Sequence, residues 1–119
     1  MKQITLRLTE EQFETLKSLA KEQRLSISDY LLTKALPNHL QDILTVDKIL
    51  QRIEGKNVGE TFSLRDLFTK NEWENFIQGS RISTGRLFYK NYLNNESGLK
   101  DLVEFLGKNS ANLAIYKKI

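Results

Sequence analysis

Hydrophobic and polar positions alternate without a break over residues 3–8, Gln-Ile-Thr-Leu-Arg-Leu, the period-2 signature of a half-buried strand. Ile4, Leu6 and Leu8 share one face, and Gln3, Thr5 and Arg7 share the other. The period then changes. Thr9 reads as an N-cap with Gln12 in the capping-box position and Glu10 and Glu11 in the dipole-favoured first turn. Phe13, Leu16, Leu19 and Ala20 recur at helical spacing, which predicts an amphipathic helix over 10–23. Ser26 caps a second helix, with Asp29 three residues on and Ile27, Tyr30, Leu31 and Ala35 as its apolar stripe. Phe13, Leu16, Leu19, Tyr30 and Leu31 are the expected core, and Pro37 marks the helix end.

Residues 38–45, carrying Leu40, Ile43 and Leu44, read as a short packed connector, with His39 exposed on it. Beyond it the pattern changes character. Thr45 caps a helix through Ile53, with Val46, Ile49, Leu50 and Ile53 on one face, and Gly55 and Gly59 flank a turn. Residues 62–68 read as a short strand entering a helix capped by Ser63, and 71–77 place Trp73, Phe76 and Ile77 at helical spacing. Ser83 is expected to cap a further helix carrying Leu87, Phe88 and Leu93, with Arg86 and Lys90 near its exposed side. Gly85 early in that helix suggests close packing against Trp73 or Phe68. Apolar runs at 102–106 and 113–117, separated by Gly107-Lys-Asn-Ser-Ala-Asn112, give a hairpin signal with Lys108 at its tip. The order helix, strand, helix, helix, strand, strand is that of a winged helix.

The expected fold class is therefore mainly α with short strands (α+β), in three stretches: residues 1–36, a connector at 37–45, and a winged-helix-like domain at 46–119. Composition narrows the function. The 119 residues contain no cysteine and one histidine, which removes disulfides, thiolate metal sites and cysteine nucleophiles and leaves His39 too isolated for a metal cluster. No glycine-rich phosphate loop or paired nucleophile and base is visible, so an enzymatic role, a cofactor and a metal are all disfavoured. No apolar run approaches a membrane span and no secretory leader opens the chain, so the expectation is a cytoplasmic protein with no membrane partner. On the same ground the Asn95-Glu96-Ser97 sequon is read as coincidental. The net charge of +3 permits a polyanionic partner without requiring one, so charge placement decides.

A lone amphipathic strand followed only by helices leaves its backbone donors and acceptors open. A second copy of the chain closes them, pairing two strands antiparallel with Ile4, Leu6 and Leu8 inward. Gln3, Thr5 and Arg7 then face outward with Lys2 at the edge, on a ribbon that fits the DNA major groove. The alternating strand, the Thr9-Glu10 cap and the Leu25-Ser26 start of the second helix together resemble a ribbon-helix-helix repressor of the MetJ/Arc/CopG type. The resemblance covers about 36 residues. It implies a homodimer in which Gln3, Thr5 and Arg7 read base edges. It also implies that Ser26, Ile27 and Ser28, with Lys2, hold DNA phosphate. Arg24 departs from it, standing where many relatives turn with glycine.

Further along, Phe62-Ser-Leu-Arg-Asp-Leu-Phe68, Trp73 and Arg81-Ile-Ser-Thr-Gly-Arg-Leu-Phe88 resemble a small bacterial domain family whose activity is not established. Two readings stay open there. Arg81, Arg86, Lys90 and Lys108 form a second DNA-contacting surface, or Arg81 and Arg86 pair with Asp66, Glu72 or Glu74. The leading expectation is a dimeric, sequence-specific transcriptional regulator of the repressor kind acting on double-stranded DNA. The alternative is an antitoxin, or an accessory protein of plasmid transfer or partition, whose C-terminal domain binds a protein partner.

Overall fold

The computed structural model describes residues 2–119. The chain is mixed α + β and divides into two compact units, one ending at His39 and the other running from Leu40 to Ile119.

In the first unit, α1 (Glu10–Glu22) and α2 (Ile27–Ala35) follow an N-terminal segment without regular structure. Thr9 Oγ1 accepts from the Gln12 amide at 3.1 Å, and Gln12 Oε1 accepts from the Thr9 amide at 3.0 Å. This is the reciprocal capping box that the sequence predicts. Helix α1 closes through Arg24, whose φ of 53° is left-handed. The Leu25 amide reaches back to the Ala20 carbonyl (2.9 Å) and the Arg24 amide to that of Lys21 (3.0 Å). These two bonds make a Schellman closure in which an arginine takes the position that glycine normally fills. Ala20, Leu25 and Tyr30 are buried.

Residues 3–8 pair with no other segment of the chain. Two expectations for this unit need correction. Phe13 (44% exposed) and Leu19 (36%) lie open, while Leu16 and Leu31 are half-buried. Two helices cannot cover all their apolar positions without a further layer. His39 also differs. It opens α3 (His39–Asp42), and its side chain is only 9% exposed, with Nε2 3.0 Å from Asp29 Oδ1.

The second unit continues through α4 (Val46–Glu54), β1 (Thr61–Phe62), a 3-10 turn (Leu64–Leu67) and α5 (Lys70–Asn75). It is completed by α6 (Gln78–Leu93), a second 3-10 turn (Glu96–Gly98), α7 (Leu99–Leu102), β2 (Val103–Lys108) and β3 (Ala114–Lys118). The sheet order is β1-β3-β2, antiparallel throughout. Its inner residues Phe62, Val103 and Tyr116 pack in one cluster with Leu44, Val46, Ile49 and Ile53, and with Phe88 of α6. The hairpin carries a bulge between Phe105 and Gly107, where Gly107 takes φ 101°, a conformation that a side chain would strain. Lys108 is thus the last residue of β2, opposite Ala114, and not the hairpin tip.

Helix α6 starts at Gln78, five residues before Ser83, which is interior. The reason lies in two buried hydroxyls one turn apart. Ser80 Oγ accepts from the Leu44 amide at 3.0 Å, and Thr84 Oγ1 donates to the Leu44 carbonyl at 2.8 Å. They satisfy both backbone groups of a fully buried residue. A Cβ at Gly85 would meet only Leu64 Cδ1, at 4.0 Å, so neither Trp73 nor Phe68 demands glycine there. Asn95 and Ser97 both take positive φ, and Asn95 Oδ1 accepts from the Lys100 amide at 2.9 Å, giving the sequon a structural use.

Candidate nucleic-acid interface

Two surfaces carry the residue types expected of a nucleic-acid contact, one in each unit.

The N-terminal one is the segment before α1. Ile4 is 88% exposed, Leu6 59% and Leu8 39%, and Lys2, Gln3, Thr5 and Arg7 are exposed as well. Alternation is present in the sequence, but a single chain sorts neither face inward. At the start of α2, Ser26 Oγ accepts from the Asp29 amide at 3.1 Å. The first intrahelical bond is that of the Tyr30 amide to the Ser26 carbonyl, at 2.9 Å. The amides of Ile27 and Ser28 precede it, in the position where helix N-termini meet anions. The Ser26 hydroxyl is committed to capping, so this turn offers backbone donors.

The second surface is a cleft of about 910 Å³ between the Leu64–Leu67 turn, α6 and the β2–β3 hairpin. Arg65, Arg81, Arg86 and Lys108 line it, and no carboxylate does. Three of the four cations expected at a second DNA surface therefore meet, while Lys90 lies on α6 outside the cleft. The Arg81 guanidinium stands 5.7 Å from the Trp73 ring centre, and its buried Nε has no hydrogen-bond partner.

Two of the three carboxylates that the alternative reading assigned to Arg81 and Arg86, Glu72 and Asp66, are engaged elsewhere. Glu72 accepts from Arg52 Nη1 at 3.1 Å and from Nη2, and also takes the Thr69 amide at 2.9 Å. Those bonds, the arginine's foremost, hold its carboxyl down at about 2. Asp66 accepts from the Ser63 amide at 3.0 Å, which lowers its pKa too. Helix geometry explains the choice. Glu72 and Asp66 each stand three residues after a Thr or Ser that starts a turn, so both close onto local amides.

Sequence reasoning missed Arg65, Tyr89 and Phe105 as parts of this cleft. A signal for Tyr89 was present, since it is one turn from Gly85 and three residues from Arg86 on the same helix. Phe105 was not legible, because its place depends on a Phe105 amide bond to Tyr92 Oη (3.1 Å) and on the bulge that follows it. Burial raises the Tyr116 hydroxyl pKa at the cleft floor.

Among the described residues no helix is long and apolar enough to cross a membrane, and no group of His, Asp and Glu is placed to hold a metal ion. In comparison with known proteins, no curated protein and no solved structure matches the chain. Residues 1–57 match the family model described as mobilization protein NikA. Residues 47–118, containing all of α4 but its first residue, the cleft and the whole sheet, match that described as a domain of unknown function, DUF1413. That second match spans more than half of the chain, which belongs to the DUF1413 family.

Proposed function

We propose that this protein is a dimeric, sequence-specific DNA-binding protein that acts by binding and not by turnover. Residues 3–8 of two copies pair as an antiparallel ribbon in the major groove. The observation that carries this reading is the exposure of Ile4, Leu6 and Leu8 directly before two capped helices. An alternating apolar edge of that kind is covered in a stable protein, and a second copy covers it with matching backbone bonds. Gln3, Thr5 and Arg7 then point into the groove, and the α2 amides of Ile27 and Ser28, with Ser26 and Lys2 beside them, hold phosphate. The match of residues 1–57 to a mobilization protein family supports the same region as the functional head.

In this reading the C-terminal unit is winged-helix-like: α4, β1, α5, α6, α7, β2 and β3 follow in sequence with β3 central in the sheet, the short α7 being an addition to that order. Arg86 and Lys90 are exposed one turn apart on α6, as a second contact to the same polyanion. Repression of transcription is the use this arrangement serves best. The second reading, an accessory role in plasmid transfer, is favoured by the match of residues 1–57 to a mobilization protein family. A mobility-shift assay with DNA from upstream of the protein's own gene, in parallel with DNA flanking a transfer origin, separates the two. A shift with neither, at a concentration where the protein is dimeric, removes both.

A further inference from the structure

The cleft of the C-terminal unit is not needed by a ribbon that reads duplex DNA, and it is built differently from a duplex-binding surface. Its four cations have no carboxylate among them, and Arg65, Arg86 and Lys108 are exposed. None of these three comes within ion-pair distance of a carboxylate among the described residues, although the Arg65 charge acts on the neighbouring Asp66. That much suits any anion. The rings of Trp73, Tyr89 and Phe105 in the same lining decide among anions. A duplex keeps its bases stacked on one another and offers phosphates on a convex surface, so the exposed Tyr89 ring, backed by Phe105 at 4.9 Å between ring centres, would find no counterpart in it. A bare phosphate fills a small part of about 910 Å³ and leaves the exposed Tyr89 ring uncovered. An unpaired base has a free π-face, and stacking on aromatic or guanidinium planes is how proteins hold one. The volume also falls within the range of small-ligand sites.

We infer that this cleft binds an unpaired nucleotide, with its base on the aromatic lining and its phosphate on the arginines and Lys108. The nucleotide is either free or part of a single strand. The inference extends the nucleic-acid reading of the protein without resting on the ribbon, because none of the residues it uses belongs to the N-terminal unit.

Trp73 is the only tryptophan in the sequence, so the intrinsic fluorescence of the full chain reports on this cleft directly. The full-length protein is titrated with a 12-nucleotide thymidine strand, thymidine monophosphate, inorganic phosphate and a blunt duplex. The expected result is saturable quenching by the strand or the mononucleotide and none by phosphate at equal concentration. Quenching by the strand alone assigns the ligand to single-stranded nucleic acid; equal affinity for the monophosphate assigns it to a free nucleotide. Arg65→Gln and Tyr89→Leu, at positions on the protein surface, should each weaken the interaction about tenfold with an unchanged circular dichroism spectrum. Arg7→Ala should leave it intact. Phosphate or duplex quenching as strong as the strand's overturns the inference, as does quenching by nothing. A loss with Arg65→Gln but none with Tyr89→Leu leaves only a charged patch and overturns base recognition. Duplex binding is scored separately by mobility shift, where neither cleft variant should matter, so failure here and failure of the ribbon are told apart.

Discussion

The two units solve the problem of hiding apolar surface in opposite ways. The C-terminal unit buries its own: Ile49, Ile53, Phe88 and Val103 are fully inaccessible, packed against one another and the inner face of the sheet. Among its described apolar residues the N-terminal unit buries only Ala20, Leu25 and Tyr30. It leaves Ile4, Leu6, Phe13, Leu19, Leu32 and Leu36 open to solvent. Both have well-made local structure, with side-chain caps on α1, α2 and α4 alike. Local signals can therefore be complete where the tertiary layer is missing. A unit with good caps and so small a core is where a second copy would dock in the proposed dimer.

The largest effects should appear where each unit is challenged in its own currency. Phe88 stands edge-on to Tyr116 at 5.1 Å between ring centres with no exposure. Phe88→Ala should cost the C-terminal unit about 3–5 kcal/mol in a denaturant titration. Leu6→Asp should do nothing comparable to a lone chain, since Leu6 is 59% exposed. In a dimer that shares this strand, the same charge enters the common core and should abolish association. Sedimentation of the variant at micromolar concentration checks it. A Leu6→Asp protein that remains dimeric breaks the contrast between the units.

Next in size is Arg7→Ala, with an expected loss of about 1–3 kcal/mol at the cognate site and relaxed preference at one base pair of each half-site. Non-specific affinity should fall less, because phosphate contacts dominate it. Competition shifts with single-base operator variants separate the two. Equal losses on all sequences would assign Arg7 to the phosphate backbone. The joint variant Arg86→Ala, Lys90→Ala tests the other unit. If both residues meet phosphates, the slope of log affinity against log salt should become shallower by up to about 2. An unchanged slope would take both residues off the duplex and leave Arg86 to the cleft.

The same contrast explains how far the fold was legible. Caps act within four residues, so Thr9, Ser26 and Thr45 announced α1, α2 and α4 correctly. The β2–β3 hairpin was equally visible, being a local pairing across a short polar loop. What failed was non-local. Ser83 has the composition of a cap, yet α6 begins at Gln78 because Ser80 and Thr84 answer a backbone residue 36 and 40 positions earlier. The burial of Phe13 and Leu19 was inferred from helical spacing, which says which face is apolar but not whether anything covers it. Of the cleft, the cations Arg81, Arg86 and Lys108 could be read from sequence. Their freedom from carboxylates could not, since it depends on where Arg52 sends its guanidinium.

That last pairing gives the smallest prediction and the one most specific to the C-terminal unit. Glu72 has its carboxyl held down to about 2 from an ordinary 4.5, by Arg52 first and the Thr69 amide second. A depressed carboxylate contributes its stabilisation in full above the unfolded value and loses it as pH falls through the folded one. The window is thus from about 4.5 down to about 2, with stability falling as the solution becomes more acid. Both side chains are well exposed, so solvent and salt screen the pair and the effect stays small. Glu72→Gln should lower the thermal midpoint slightly at neutral pH and flatten its dependence across that acid range. Added salt should narrow the difference between variant and parent. Arg52 itself bridges further, with Nη1 also donating to the Leu67 carbonyl at 3.3 Å and its guanidinium 4.9 Å from the Phe68 ring centre. Arg52→Ala should therefore cost more than Glu72→Gln, and the excess should persist below about pH 2, where the carboxylate is protonated. Equal losses from the two variants at every pH would mean that the ion pair alone ties α4 to the start of α5. The N-terminal unit does not contain this pair, so its own unfolding, followed by a probe attached there, should pass through the same acid range without responding to either substitution.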